Sequence, residues 1–171
     1  MVPRIHVSPL SKVVETVRAT GARSLVTLVN EGTSVKRPAE IAAEQHLIVF
    51  LSDIVTDLDG HTLPSESHVE KLLGFVRRWD QAAPLLIHCW AGVSRSTAAA
   101  FVAACALRPN RDEAEIAQAV RANSPTATPN ARLVAIGDTM LGRNGRMVAA
   151  IEKIGQGRSC LEGEPFALEL R

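Results

Sequence analysis

The sequence predicts an α/β protein with a central, mostly parallel sheet flanked by helices on both faces and a helical carboxyl half. Three observations predict it. Short apolar runs of strand length alternate with segments of helical period through the first half of the chain. The run Pro84-Leu85-Leu86-Ile87-His88 is apolar almost throughout, as a strand covered on both faces must be. Beyond it, every periodic segment up to residue 154 has helical spacing. At 171 residues, with 46% hydrophobic and 22% charged residues, the chain has the size of one domain and a composition far from that of a disordered chain. A single unit over 1–171 is expected, with about 156–171 as a carboxyl-terminal tail.

Ile5 to Val7 has the character of a short strand, and Leu10, Val13, Val14 and Val17 lie at helical spacing within Leu10 to Ala19, which Gly21 ends. Ser24 to Val29 is a β-rich run closed by the polar break Asn30-Glu31-Gly32. Pro38 is the residue type favoured at the first position of a helix, so a connecting helix is expected there. His46 to Phe50 is a second β-rich strand, and Ser52 to Pro64, rich in Asp and Gly, is a loop of the length that is often functional. Ser65 to Asp80 places Val69, Leu72, Leu73, Val76 and Trp79 on one helix face. After the Pro84–His88 strand, the alanine-rich stretch Thr97 to Leu107 suits a buried helix that Pro109-Asn110 stops. Asp112 to Ala122, Asn130 to Leu141 and Arg146 to Ile154 follow as helices, and Phe166, Leu168 and Leu170 alternate as an edge strand would.

Nineteen Lys plus Arg against eighteen Asp plus Glu give a formal net charge of +1. No global field therefore favours nucleic acid or an anionic membrane, and any anion recognition has to be local. The chain shows no apolar run of membrane-spanning length and no signal-peptide pattern, so a cytoplasmic protein is expected. The cysteines 89, 105 and 160 have no CxxC spacing, and the histidines 6, 46, 61, 68 and 88 form no HxH or HxxxH pair. Neither a disulfide framework, a metal centre nor a cofactor is expected.

The segment Ile87-His88-Cys89-Trp90-Ala91-Gly92-Val93-Ser94-Arg95-Ser96-Thr97 lies between a strand and a helix. In an open sheet, ligands gather beyond the carboxyl ends of the strands, and a helix amino terminus offers unpaired N–H groups and the positive end of a dipole. A tight loop at that junction turns its amides inward as an anion nest. The phosphate-binding residues are then Trp90, Ala91, Gly92, Val93, Ser94 and Arg95. The field that holds a phosphate also stabilises a thiolate at Cys89. Arg95, six residues on, can fold its planar fork of donors over two phosphoryl oxygens, a geometry lysine cannot reproduce.

His-Cys-x-x-Gly-x-x-Arg-Ser, carried by His88, Cys89, Gly92, Arg95 and Ser96, resembles the signature of the protein tyrosine and dual-specificity phosphatase superfamily. The likeness extends less firmly from about residue 22 to residue 141, with Pro129-Asn130 ahead of a late helix as in the compact dual-specificity branch. The resemblance implies a phosphocysteine on Cys89, Arg95 and the loop amides as oxyanion clamp, Ser96 stabilising the leaving thiolate, and His88 supporting the cysteine by hydrogen bonding.

It further implies an Asp as proton donor on an upstream loop, and three are present. Asp53, Asp57 and Asp59 precede Cys89 by 36, 32 and 30 residues. Asp53 is favoured because it directly follows a strand, which supports a side chain better than a loop middle does. Asp57 is the alternative, by separation. Protein phosphotyrosine or a dual-specificity substrate is expected; inositol phosphates, phosphoinositides and RNA 5′ phosphates are alternatives, disfavoured by the lack of lysine in the loop. An inactive phosphate-binding module and a rhodanese-like sulfur transferase are further rivals. Cys105 is expected to pack in the core, Cys160 to be incidental, Trp90 to line a pocket or pack on the loop, and Arg23, Lys36 and Arg37 to be solvated.

Overall fold

The computed structural model describes residues 1–171. Strand β1 (Arg4–Pro9) is longer than its apolar centre suggests, and one 3-10 turn at Leu10–Lys12 leads into α1 (Val13–Thr20). Then come β2 (Ser24–Val29), β3 (His46–Phe50), α2 (Glu66–Arg78), β4 (Leu85–Cys89), α3 (Arg95–Leu107), α4 (Glu113–Asn123), α5 (Ala131–Met140), α6 (Arg146–Ile154) and β5 (Phe166–Glu169). The sheet runs β3-β2-β4-β1-β5, parallel except for β5, which lies antiparallel on β1. Leu170 continues that edge with a bond from its N–H to the Pro3 carbonyl.

The helices are divided unequally between the faces. Alternation along β4 turns Leu85, Ile87 and Cys89 into a core of 35 residues shared with the helices after β3, while Leu86 joins Val13, Val17, Ala22, Leu25 and Ile41 in a cluster of six beneath α1. Helix α3 is the centre of the larger core. Arg95 through Cys105 are all buried, which its alanines permit by letting neighbouring elements approach closely.

Two expectations are corrected. No helix forms from Pro38: isolated turns join Ile41 N–H to the Pro38 carbonyl and Gln45 N–H to the Ala42 carbonyl, with a single 3-10 turn at Ala43–Gln45. The segment is anchored instead by Ile41, fully buried in the small cluster, and β3 begins too soon afterwards for a helix to develop. Helix α3 begins at Arg95 rather than Thr97, so Arg95 and Ser96 belong to its first turn, where N–H groups have no intrahelical partner.

Burial costs charged groups unless they are paired. Glu113 of α4 shows how this is met: burial alone would raise its carboxyl, but hydrogen bonds from Arg143 at 2.8 Å and Arg146 at 3.2 Å hold it below the usual range. Arg143 also donates to the Cys105 carbonyl at 2.7 Å, tying the turn before α6 to α3.

Candidate active site

Four outward-facing carbonyls shape the loop between β4 and α3. Trp90 O accepts from Leu10 N–H (3.1 Å), Ala91 O from Gly163 N–H (2.8 Å), Val93 O from Thr128 N–H (2.9 Å), and Ser94 O from Asn130 N–H (3.1 Å). Thr97 Oγ1 adds bonds to Val93 O and Ser94 O at 2.6 and 3.1 Å. A planar trans peptide directs its N–H opposite to its C=O, so the amides of Ala91, Gly92, Ser94 and Arg95 turn toward the inside of the loop. Gly92 N–H indeed donates inward, to Cys89 Sγ at 3.3 Å. The outcome is an anion nest at a helix amino terminus.

Gly92 has φ +68, and a Cβ there would lie 2.7 Å from Pro9 N and 2.8 Å from the Ser8 carbonyl carbon. The loop therefore closes directly over the end of β1, an approach only glycine allows. Gly163 is similarly close, its added Cβ falling 3.0 Å from the Gly92 carbonyl oxygen. Residues 155–165 have no regular structure, yet they run back over the loop between β4 and α3 and close it from outside.

Cys89 is almost fully buried, with Sγ 3.1 Å from Ser96 Oγ. Arg95 donates from Nη1 to Asn30 Oδ1 (2.6 Å) and to the Leu51 carbonyl (2.9 Å), while its buried Nε has no protein partner. The ends of β2 and β3 thus orient the guanidinium and leave donors free for a ligand. His88 is fully buried, its Nδ1 3.2 Å from the Cys89 carbonyl and its Nε2 2.7 Å from Thr27 Oγ1. Burial lowers its pKa to about 4, so the ring is neutral at neutral pH.

The loop from Ser52 to Pro64 is pinched at its base. Ser52 N–H donates to the Thr62 carbonyl at 2.8 Å and Thr62 N–H to Ser52 Oγ at 3.0 Å. Asp53 sits at that base, where its Oδ1 accepts from Ser94 Oγ (2.7 Å) and Asn130 Nδ2 (2.9 Å). Asn130 also caps α5 through Leu133 N–H and donates to the Ile54 carbonyl. Asp57 and Asp59 lie further along the loop, exposed. The geometry therefore brings Asp53, and neither of the other two, into contact with the Cys89 loop.

Trp90 is 60% exposed, and with Val29, Asn30, Thr33 and Arg95 it lines a cavity of about 320 Å³ at the carboxyl ends of the strands. A larger cavity, about 730 Å³, opens around residues 1–4, 19–21 and 81–84, at the other end of β1 and β4, and contains none of these groups. The smaller one lies where an open parallel sheet presents its ligand site. Cys105 is buried, and burial pushes its thiol up to about 12; Cys160 is exposed. No cluster of three His, Cys, Asp or Glu side chains is placed to hold a metal, and no helix is long and apolar enough to cross a membrane.

Several supporting groups carry weak sequence signals. Asn30 reads as a strand break and Asn130 as a helix cap; nothing marks Asn30 as the partner of Arg95, or Gly163 and Thr128 as braces of the loop.

Among solved structures, the Cydia pomonella PTP-2 phosphatase superposes with a TM-score of 0.61 over 79% of this chain and 84% of its own, at 22% identity. Human DUSP28 does so with 0.61 over 81% and 94%, at 18% identity. The chain has the dual-specificity phosphatase fold. PTPMT1 in complex with PI(5)P shares it, with a TM-score of 0.59 over 85% of this chain and 92% of its own, at 15% identity. No protein-family model and no curated protein matches the chain. Within the phosphatase fold, His88 to Ser96 occupy the strand, loop and helix junction that their spacing predicts.

Proposed function

We propose that this chain is a phosphomonoesterase that works through a phosphocysteine on Cys89, acting on phosphotyrosine or as a dual-specificity protein phosphatase. One observation carries the reading: the Cys89 thiol opens a loop whose amides turn inward, and Arg95 at the end of that loop keeps a buried Nε without a protein partner. An anion with three equatorial oxygens fits such a cradle, and a thiol beneath it is placed for attack along the remaining axis.

In the first step the Cys89 thiolate forms an S–P bond as the ester P–O bond breaks, and Asp53 gives its proton to the leaving oxygen. Oδ1 is taken by Ser94 and Asn130, so Oδ2 is the oxygen that carries this proton. In the second step water attacks phosphorus, Asp53 takes a proton from it, and the S–P bond breaks. The Ser96 hydroxyl, 3.1 Å from the sulfur, donates to the departing thiolate. The exposed indole of Trp90 offers a flat wall suited to an aryl phosphate.

A second reading keeps the chemistry and takes a phosphoinositide, as the shared fold with PTPMT1 in complex with PI(5)P suggests. Against it, residues 90–94 carry no cation for further phosphates. Turnover of phosphotyrosine, phosphoserine and phosphoinositide side by side separates the two. Cys89→Ser is expected to abolish hydrolysis. Asp53→Asn is expected to lower kcat by about 10² to 10⁴ and remove the basic limb of the pH profile, while Asp57→Asn leaves both unchanged. The opposite result would transfer the acid role to Asp57; hydrolysis retained in Cys89→Ser would refute the mechanism.

A further inference from the structure

Residues 155–165 form a strap that leaves the end of α6 and returns to the sheet as β5. The strap lies beyond residues 22–141, the stretch whose sequence resembles the phosphatases. Although irregular, it is tied along its length. Arg121 Nη2 donates to the Gly155 carbonyl at 2.7 Å, Gly157 N–H to Thr128 Oγ1 at 3.0 Å, and Arg158 N–H to the Pro125 carbonyl at 2.9 Å. Further on, Ser11 Oγ donates to Glu162 Oε2 at 2.9 Å and Lys12 Nζ to Glu164 Oε2 at 3.0 Å. These two clasps flank Gly163, which is buried against the loop between β4 and α3.

Gly163 holds a single peptide plane of that loop. Its N–H is the one protein partner of the Ala91 carbonyl, at 2.8 Å, and the same plane carries the Gly92 N–H, which points the other way onto Cys89 Sγ at 3.3 Å. The Trp90, Val93 and Ser94 carbonyls are held by Leu10, Thr128 and Asn130, so the strap supplies what the Ala91 carbonyl would otherwise lack. Local backbone preference does not fix this plane. Turning it over carries φ of Gly92 from +68 into the ordinary negative range, and glycine adopts either sign about equally. On the inner side the plane meets sulfur, which as a thiol is only a weak acceptor. A turned-over plane would point the Ala91 oxygen, in place of an N–H, at an anion in the loop.

We propose that Gly163 is a positioning residue for the anion nest, its N–H keeping the 91–92 peptide donor-inward before a phosphate arrives. The proposal rests on the reading of this loop as a phosphate site. A loop already set in its binding orientation spares the anion the cost of turning the plane. By linkage, whatever factor the Gly163 bond adds to anion affinity, a bound anion adds to the strength of the Gly163 bond. Gly163 lies outside the loop, so both effects pass through that one plane.

The test is a titration of the full chain with inorganic phosphate, followed at the Gly92 amide signal by NMR. Gly163→Pro removes the donor, whereas Leu161→Pro places the same ring at an exposed residue of the strap whose N–H has no protein partner. Gly163→Pro is expected to weaken phosphate binding about three- to tenfold, the worth of one hydrogen bond, and Leu161→Pro to match the wild type. In the wild type, saturating phosphate is expected to slow hydrogen exchange of the Gly163 amide by a similar factor, and to leave that of Leu170, bonded to the Pro3 carbonyl, unchanged. Wild-type affinity in folded Gly163→Pro, or an equal loss in the two variants, would overturn the proposal. So would a Gly163 exchange rate indifferent to bound phosphate, and that measurement decides alone should Gly163→Pro not fold. A wild type whose Gly92 signal ignores phosphate would instead remove the reading of the loop as a phosphate site, and the proposal with it.

Discussion

Replacing Gly92 by alanine asks whether the loop between β4 and α3 depends on contact with β1 or merely on an unusual backbone angle, and Gly21 supplies the control. Both glycines have left-handed φ, +68 and +73, so alanine pays about 1–2 kcal/mol at each for the conformation. Stiffening of the unfolded chain is common to both and cancels in the comparison. They differ in what the new methyl meets. At Gly21 there is nothing within 4 Å, whereas at Gly92 the Cβ falls 2.7 Å from Pro9 N, 2.8 Å from the Ser8 carbonyl carbon and 3.1 Å from Pro9 Cδ. Those backbone atoms cannot easily retreat, because Ser8 and Pro9 pair in register with His88 and Cys89. Overpacking of this kind costs about 1–3 kcal/mol, so Gly92→Ala should be destabilised by that much more than Gly21→Ala in urea unfolding. If the loop relieves the clash by moving about 1 Å, kcat/KM falls roughly 10²-fold in Gly92→Ala and stays near wild type in Gly21→Ala. Equal stability losses in the two variants, or an unimpaired Gly92→Ala enzyme, would refute the argument.

Stability should fall as the solution is acidified from about pH 6.5 toward 4. Burial lowers the pKa of His88 from 6.5 to about 4, so across that window the unfolded chain binds a proton that the folded chain does not, and the folded state loses about 3 kcal/mol. His6, His46 and His68 are lowered by burial too and act in the same direction. Urea titrations at pH 7.5, 6.0 and 4.5 check this, and stability that is flat or rises on acidification contradicts it. Alkylation of the native protein at pH 7.5 should modify exposed Cys160 and leave Cys105 untouched until unfolding, because the latter is buried with its thiol pushed up to about 12. Peptide mass mapping reads both sites, and labelling of Cys105 at the rate of Cys160 would show that α3 opens more readily than its packing implies.

The core elements of the fold are legible because their signals are local. Ser24–Val29 and His46–Phe50 form strands with the boundaries that composition implies, since β-branched and aliphatic runs of that length suit little else. The missing helix after Pro38 marks the limit of such reasoning. Proline permits a helix start, but buried Ile41 and the early onset of β3 leave only turns. The tail offers a second case. Its alternation gives away β5, whereas the seating of Gly163 on the Ala91 carbonyl depends on where six helices have carried the chain.

For the site, the division is sharper. The sequence by itself placed the cysteine, the arginine and the loop between them at one strand–helix junction, because a nest there is built from consecutive residues whose spacing is its geometry. It left three aspartates on one loop. Tertiary structure sets one of them apart by bringing Ser94 and Asn130 onto Asp53, from 41 and 77 residues away, and it alone joined Arg95 to Asn30 and His88 to Thr27. Those partners are side chains that meet only after the sheet and α5 have packed, and no spacing along the chain encodes such a meeting.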